Sequence, residues 1–165
     1  MAAYNASEWH DLFVATAGAS AALAGLVFVA VSINIERILK SQDLPSRAQM
    51  TVALLLSVLL VSIIGLIPGQ SRTALGAELL GVGLLFGTLI AVLSKRGLSK
   101  EVVLPGSVVL TRQLLTVAGT LPFVIGAVSV LAEAGGGLYW TVGGIVFAIM
   151  AGVANAWALL VEILR

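Results

Sequence analysis

Cysteine is absent from this chain of 165 residues, which also contains a single histidine and only 10% charged residues. Without cysteine the protein forms no disulfide bond and offers no thiolate for an iron–sulfur cluster or for nucleophilic catalysis. Structural zinc sites combine several histidine or cysteine ligands, which this chain does not supply. The composition therefore removes most of the side chains on which enzymatic chemistry depends.

The short motifs of common enzyme classes are missing as well. The chain contains no G-x-S-x-G, no G-x-x-x-x-G-K-[ST], no H-E-x-x-H and no G-x-G-x-x-G. The glycine run at 135–137 has no lysine beside it, so phosphate binding is not indicated. A formal net charge of +1 gives nucleic-acid binding no support. We expect a protein without enzymatic activity, without a cofactor and without a nucleic-acid partner.

Apolar residues are abundant instead, at 59% of the chain, and the mean hydropathy is +1.10. A helix needs about 20 apolar residues to cross the roughly 30 Å hydrocarbon layer of a bilayer. The apolar runs are continuous, which favours helices over the alternating strands of a membrane barrel. The sequence predicts one all-α transmembrane domain over residues 1–165, with five spans at about 12–33, 48–67, 75–93, 114–131 and 138–160.

Basic residues are concentrated in every second loop. The first loop, the third loop and the C-terminus carry Arg37, Lys40, Arg47, Lys95, Arg96, Lys100, Arg112 and Arg165. The second loop has only Arg72, and the N-terminal tail and the fourth loop have no basic residue. Because cytoplasmic loops are enriched in lysine and arginine, this pattern predicts the N-terminus outside and the C-terminus inside.

Local signals suggest where several helices begin and end. Ser46 with Gln49 forms a capping-box pattern that predicts the start of the second span, and Thr73 is the expected cap of the third. Residues 34–40 predict an amphipathic continuation of the first helix. The three glycines at 135–137 predict a tight turn before the last span.

Small residues recur at helix-packing spacing in three of the spans. Close backbone approach drives helix association in lipid, so such residues are expected at contacts. The candidate packing residues are Gly18, Ala21, Ala22 and Gly25 in the first span, Gly83 and Gly87 in the third, and Gly152 and Ala156 in the fifth. Packing within one bundle is the favoured interpretation, and contact between subunits is the alternative.

Two sets of polar residues are candidates for a functional role. Glu8, His10 and Asp11 precede or begin the first span, where a metal role is possible in principle but acidic residues also suit a helix N-terminus. Asn155 lies within the fifth span and most simply makes a hydrogen bond to another helix. No Lys, Arg, Asp or Glu lies in the middle of any span.

The first span carries a resemblance. Trp9-His10-Asp11, the small residues that follow, and the stretch from Gly25 to Asn34 resemble the opening of a group of small bacterial polytopic inner-membrane proteins of unassigned function. The resemblance implies a multi-pass protein of the bacterial cytoplasmic (inner) membrane and a tightly packed first helix. It supplies no catalytic residues.

The residues support two functional hypotheses. The first is a packing or accessory module, in contact with membrane lipids, that forms a homo-oligomer or joins a larger membrane complex. The second is a small oligomeric cation channel or transporter, because acidic residues outnumber Arg72 in the outer segments and would concentrate cations. The acidic residues concerned are Glu8, Asp11, Glu78 and Glu133.

Overall fold

The computed structural model describes residues 2–41, 44–98 and 106–164, and within these ranges the regular structure is helical. Two short 3-10 helices, at Ala2–Tyr4 and Ala6–Trp9, lead into the first long helix. The α-helices are α1 (His10–Ile33), α2 (Ile35–Lys40), α3 (Leu44–Gly65), α4 (Arg72–Leu98), α5 (Gly106–Ala132) and α6 (Tyr139–Leu164). The predicted all-α class is confirmed.

Four of the long helices surround one apolar core, and the fifth, α1, packs on the side of this bundle and contributes Phe13 to the core. Helices α3, α4, α5 and α6 form a closed ring of neighbours, in which α3 contacts both α4 and α6. Helix α1 packs against α3 and barely touches α6. As a result α3 is buried over most of its apolar length, and α1 is the most exposed of the helices.

The two ends of the bundle are defined by contacts between loops. At the end we call the N-terminal end, the backbone N–H of Leu138 donates to the carbonyl of Ala3 at 2.7 Å. The rings of Trp9 and Tyr139 meet edge to face there, with centroids 4.7 Å apart. At the opposite end, called the C-terminal end, a second apolar cluster forms from Ile38, Leu44, Ala48 and Leu159. Successive long helices therefore run in opposite directions.

The structure supports a membrane bundle. Four helical segments are long and apolar enough to cross a membrane: Ala6–Ile33, Leu44–Gly65, Arg72–Lys95 and Tyr139–Val161. A fifth apolar segment, Val117–Ala132 in α5, is shorter. The predicted basic residues Lys100 and Arg165 lie outside the described residues.

Two predicted helix starts need correction. Helix α3 begins at Leu44, so Ser46 and Gln49 lie inside the helix and do not form a capping box at its start. Pro45 is tolerated there because the first turn of a helix has no partner for its missing N–H. Helix α4 is capped by Ser71 rather than Thr73, since the Ser71 hydroxyl accepts from the N–H of Ala74 at 3.2 Å.

The predicted extension of the first helix exists, but with a break. Asn34 separates α1 from α2, and its side-chain amide donates to the carbonyl of Ala30 at 2.9 Å. Ile38 anchors α2 to the bundle, where it is only 2% exposed. The charged residues Glu36, Arg37 and Lys40 are exposed, but so are Ile35 and Leu39, and Ile38 is the only buried residue of α2.

The turn between α5 and α6 is built from glycines with positive φ. Gly135, Gly136 and Gly137 have φ of 83°, 102° and 54°, a region that side chains rarely adopt. The N–H of Gly137 donates to the hydroxyl of Ser129 at 2.7 Å, and that hydroxyl donates to the carbonyl of Ala134. This arrangement confirms the predicted tight turn and ties it to the end of α5.

Candidate functional site

The small residues of α1 face away from the bundle. Gly18, Ala21, Ala22 and Gly25 are all exposed, and a Cβ built at Gly18 or Gly25 would meet nothing within 4 Å. The favoured interpretation, that this face packs within the chain's own bundle, is therefore wrong. The reason is that α1 turns a different face to α3.

The face of α1 that contacts α3 carries larger and more polar side chains. Phe13 and Ser20 are its two buried residues. The ring of Phe13 fills the space left by the missing side chain of Gly65, where a Cβ would overlap it. One turn further on, the hydroxyls of Thr16 and Ser62 are 2.8 Å apart and share a hydrogen bond between the helices. These contacts hold α1 against α3.

Between Ala15 and Gly25, the exposed face opposite this contact carries only Gly and Ala. Ala15, Gly18, Ala22 and Gly25 follow one another at three or four residues, which is the spacing of neighbours on one helix face. We call this surface the α1 small-residue face. Its members are Ala15, Gly18, Ala19, Ala21, Ala22 and Gly25, all exposed.

The other predicted packing residues divide between interior contacts and open space. Gly83 is buried, and its missing side chain makes room for Val124 of α5. Gly152 is buried on α6 against Leu55 of α3. Gly87 has nothing within 4 Å of a built Cβ, and Ala156 is half-buried at the edge of a groove. Gly83 and Gly152 thus lie at helix contacts.

A polar cavity of about 470 Å³ lies at the N-terminal end. The N-terminal segment from Tyr4 to Ser7 forms one wall, and the loop between α3 and α4 forms the other. His10 and Gln70 line it together with Arg72. The Gln70 amide donates to a carboxylate oxygen of Glu78 at 2.6 Å, while its own carbonyl oxygen is buried without a hydrogen-bond partner.

The acidic residues at this end do not gather into one cluster. Glu133 is paired with Arg72, and Glu78 accepts from Gln70. Glu8 and Asp11 are exposed, and so is His10. In the part of the chain that the structure describes, no three His, Cys, Asp or Glu side chains are close enough to hold a metal ion.

Within the apolar part of the bundle, hydroxyl groups supply most of the observed polar contacts. Thr16 was not singled out from the sequence, although its spacing from Phe13 and Ser20 marks the face that packs on α3. Asn155 is half-buried on α6, and its predicted hydrogen bond to another helix stays a prediction. The hydroxyls of Ser57 and Thr141 bond to carbonyls of their own helices or of the turn before them.

Comparison with known proteins identifies no relative. No family model matches the chain, and neither the curated proteins nor the solved structures contain a significant match.

Proposed function

We propose that this chain is a non-enzymatic accessory protein of the bacterial inner membrane, with five membrane-spanning helices, and that it associates with a second copy or with other membrane subunits through the α1 small-residue face. The observation that carries the proposal is the exposure of that face. The other exposed helix surfaces of the bundle include large apolar side chains such as Leu84, Leu85 and Phe147, whereas the segment of α1 from Ala15 to Gly25 exposes only Gly and Ala.

The physical reason lies in what drives helices together in a bilayer. Lipid tails are as apolar as leucine, so association depends on close packing and on backbone approach at Gly, Ala and Ser. Glycines at contacts inside this bundle are filled by neighbours, as Gly65 is by Phe13 and Gly144 is by Phe123. Gly18 and Gly25 have no such neighbour within 4 Å. A helix from another subunit would supply it.

A second copy of the chain is the simplest partner. A parallel α1–α1 pair related by a two-fold axis brings the same stripe together from both sides, which makes the interface self-complementary. Gly18, Ala22 and Gly25 would lie at the crossing. A foreign membrane subunit with its own small-residue helix is the other form of the same proposal.

The association is tested by adding bulk to the face. Gly18→Leu and Gly25→Leu should leave the folded chain intact, because nothing lies within 4 Å of either position. Overpacking costs about 1–3 kcal/mol, so we expect dimerisation in detergent or bilayers to weaken by about 5- to 150-fold. Gly81→Leu is the matched control, since Gly81 is exposed on α4 and equally open. Unchanged association in both α1 variants would refute the proposal.

The proposed topology places the N-terminus outside and the C-terminus inside. It is supported by the charge at the two ends: Arg37, Lys40, Arg47 and Lys95 belong to the C-terminal end, whereas Arg72 at the N-terminal end is paired with Glu133. A single cysteine at position 5 should react with a membrane-impermeant thiol reagent on intact cells, and one at position 98 should not. The reverse pattern would overturn the orientation, and equal labelling would overturn the number of spans between them.

The cation channel stays an alternative prediction. Its motivation was an acidic N-terminal end, and the pairing of Glu133 with Arg72 reduces the negative charge available there. A cation-selective current from the reconstituted protein that falls when Glu8, Asp11, Glu78 and Glu133 become amides would favour the channel over the accessory module.

A further inference from the structure

An apolar groove opens between α1 and α6. Leu23 to Val31 of α1 form one wall, and Gly152 to Leu160 of α6 form the other. Leu55 of α3 contributes to the lining, and Ile38 of α2 also lines the groove. Each lining residue is Gly, Ala, Val, Leu or Ile.

The groove exists because α1 and α6 both pack on α3 but have few contacts with each other. Ala30 and Ala156, on the two walls, are too small to fill the gap between the helices. The resulting cavity has a volume of about 190 Å³. An apolar space of this kind stays dry, and leaving it empty would forfeit the dispersion contacts of its walls. We therefore expect an apolar group from the surrounding membrane to fill the groove.

The length of the groove suits one acyl chain. Eight helical steps along either wall cover about 12 Å, which is close to the roughly 15 Å thickness of one leaflet. A single hydrocarbon chain that lies between the helices would therefore extend along the whole groove.

The charge at one end of the groove points to the headgroup. Ile38 lines the groove and belongs to the apolar cluster at the C-terminal end, with Leu159 and Ala48. Arg37 and Lys40 lie one and two residues from Ile38 on the same short helix. Glu36 partly offsets them, and Arg47, next to Ala48 in the sequence, adds a third positive charge. The phosphate of a phospholipid would lie within the region of these cations when its chain occupies the groove.

We infer that the groove between α1 and α6 is a binding site for one anionic phospholipid, with an acyl chain between the helices and the phosphate near Arg37 and Lys40. The site is distinct from the α1 small-residue face, because its α1 wall, from Leu23 to Val31, shares no lining residue with that face.

The test is native mass spectrometry of the purified protein titrated with dioleoyl phosphatidylglycerol or dioleoyl phosphatidylcholine. The wild-type protein should retain one phospholipid and prefer the anionic one. Ala156→Leu fills the groove and should abolish retention. Ala154→Leu, an exposed site two residues away on α6, should have no effect. Equal binding by both leucine variants would overturn the inference.

The headgroup is tested separately. Each cation near a membrane surface contributes about fivefold to the binding of an anionic lipid, so Arg37→Gln with Lys40→Gln should lower the anionic preference by about 30-fold. Lys95→Gln, an exposed cation on α4, should leave it unchanged. No preference for phosphatidylglycerol in the wild type would overturn the anionic assignment. If Ala156→Leu fails to fold, Ala30→Leu fills the groove from the other wall. If a groove-filling variant, Ala156→Leu or Ala30→Leu, still binds the phospholipid but no longer forms dimers, a second copy of the chain occupies the groove and the inference is overturned.

Discussion

The contact between Phe13 and Gly65 predicts a specific sensitivity of the bundle. Phe13 is fully buried although α1 is otherwise mostly exposed, and its ring occupies the space where position 65 would carry a Cβ. Three ring atoms would overlap an alanine at that position. The ring lies against Gly65, the last residue of α3. Gly65→Ala should therefore push α1 away from the bundle or displace the Phe13 ring from its buried position.

The cost follows from the packing. Overfilling a close contact costs about 1–3 kcal/mol. For a chain of this size, each kcal/mol corresponds to about 2–4 °C in the unfolding midpoint, so Gly65→Ala should lower Tm by roughly 2–12 °C. Gly81→Ala is the control for the intrinsic helix preference of alanine over glycine, which is about 1 kcal/mol, because Gly81 has open space around it.

The absence of cysteine supplies the assay. Ser57 is fully buried on α3, so a single Ser57→Cys reports unfolding through reaction with a thiol-reactive fluorophore during heating in detergent. Repeating Gly65→Ala in a Phe13→Leu background completes a double-mutant cycle. The smaller side chain should relieve most of the added cost. The proposed contact between the Phe13 ring and Gly65 is refuted if Gly65→Ala lowers stability equally in both backgrounds. It is also refuted if Gly65→Ala lowers stability no more than Gly81→Ala does.

The same assay checks three further contacts. Thr16→Val removes the hydrogen bond to Ser62 and should cost about 0.6–1.7 kcal/mol, a value that should disappear when Ser62→Ala is already present. Ser129→Ala leaves the buried N–H of Gly137 without an acceptor and should lower stability by about 1–3 kcal/mol; a neutral result would mean that the N–H finds water. Glu133 has a φ of 55°, so Glu133→Gly relieves backbone strain of about 1 kcal/mol or more while losing an exposed ion pair of about 0–1 kcal/mol. Glu133→Gly should therefore be at least as stable as Glu133→Gln, and the opposite order would contradict this account.

The sequence was a good guide to the helices because their ends are set locally. The length of an apolar run and the glycines at 135–137 predict where a helix and a turn must lie, and both were found. The two wrong starts have local causes too. Pro45 is acceptable inside the first turn, which lets α3 begin before Ser46, and Ser71 competes with Thr73 for the cap of α4.

The candidate site was less predictable, because a membrane removes the contrast between inside and outside. In a soluble helix the polar face marks the surface, but in these helices both the buried and the lipid-facing sides are apolar. Gly18 and Gly152 look alike in the sequence, yet Gly152 is packed against Leu55 and Gly18 is open.

The sequence by itself determined that the chain is all-α, that it has apolar helices long enough to cross a membrane, and where these long helices lie. Only the tertiary structure decided which face of each helix is covered. Packing of α1 through Phe13 and Thr16 leaves its small-residue face exposed and opens the groove beside α6. That outcome depends on shape complementarity between distant segments, such as Phe13 with Gly65, and no local pattern in the chain encodes it.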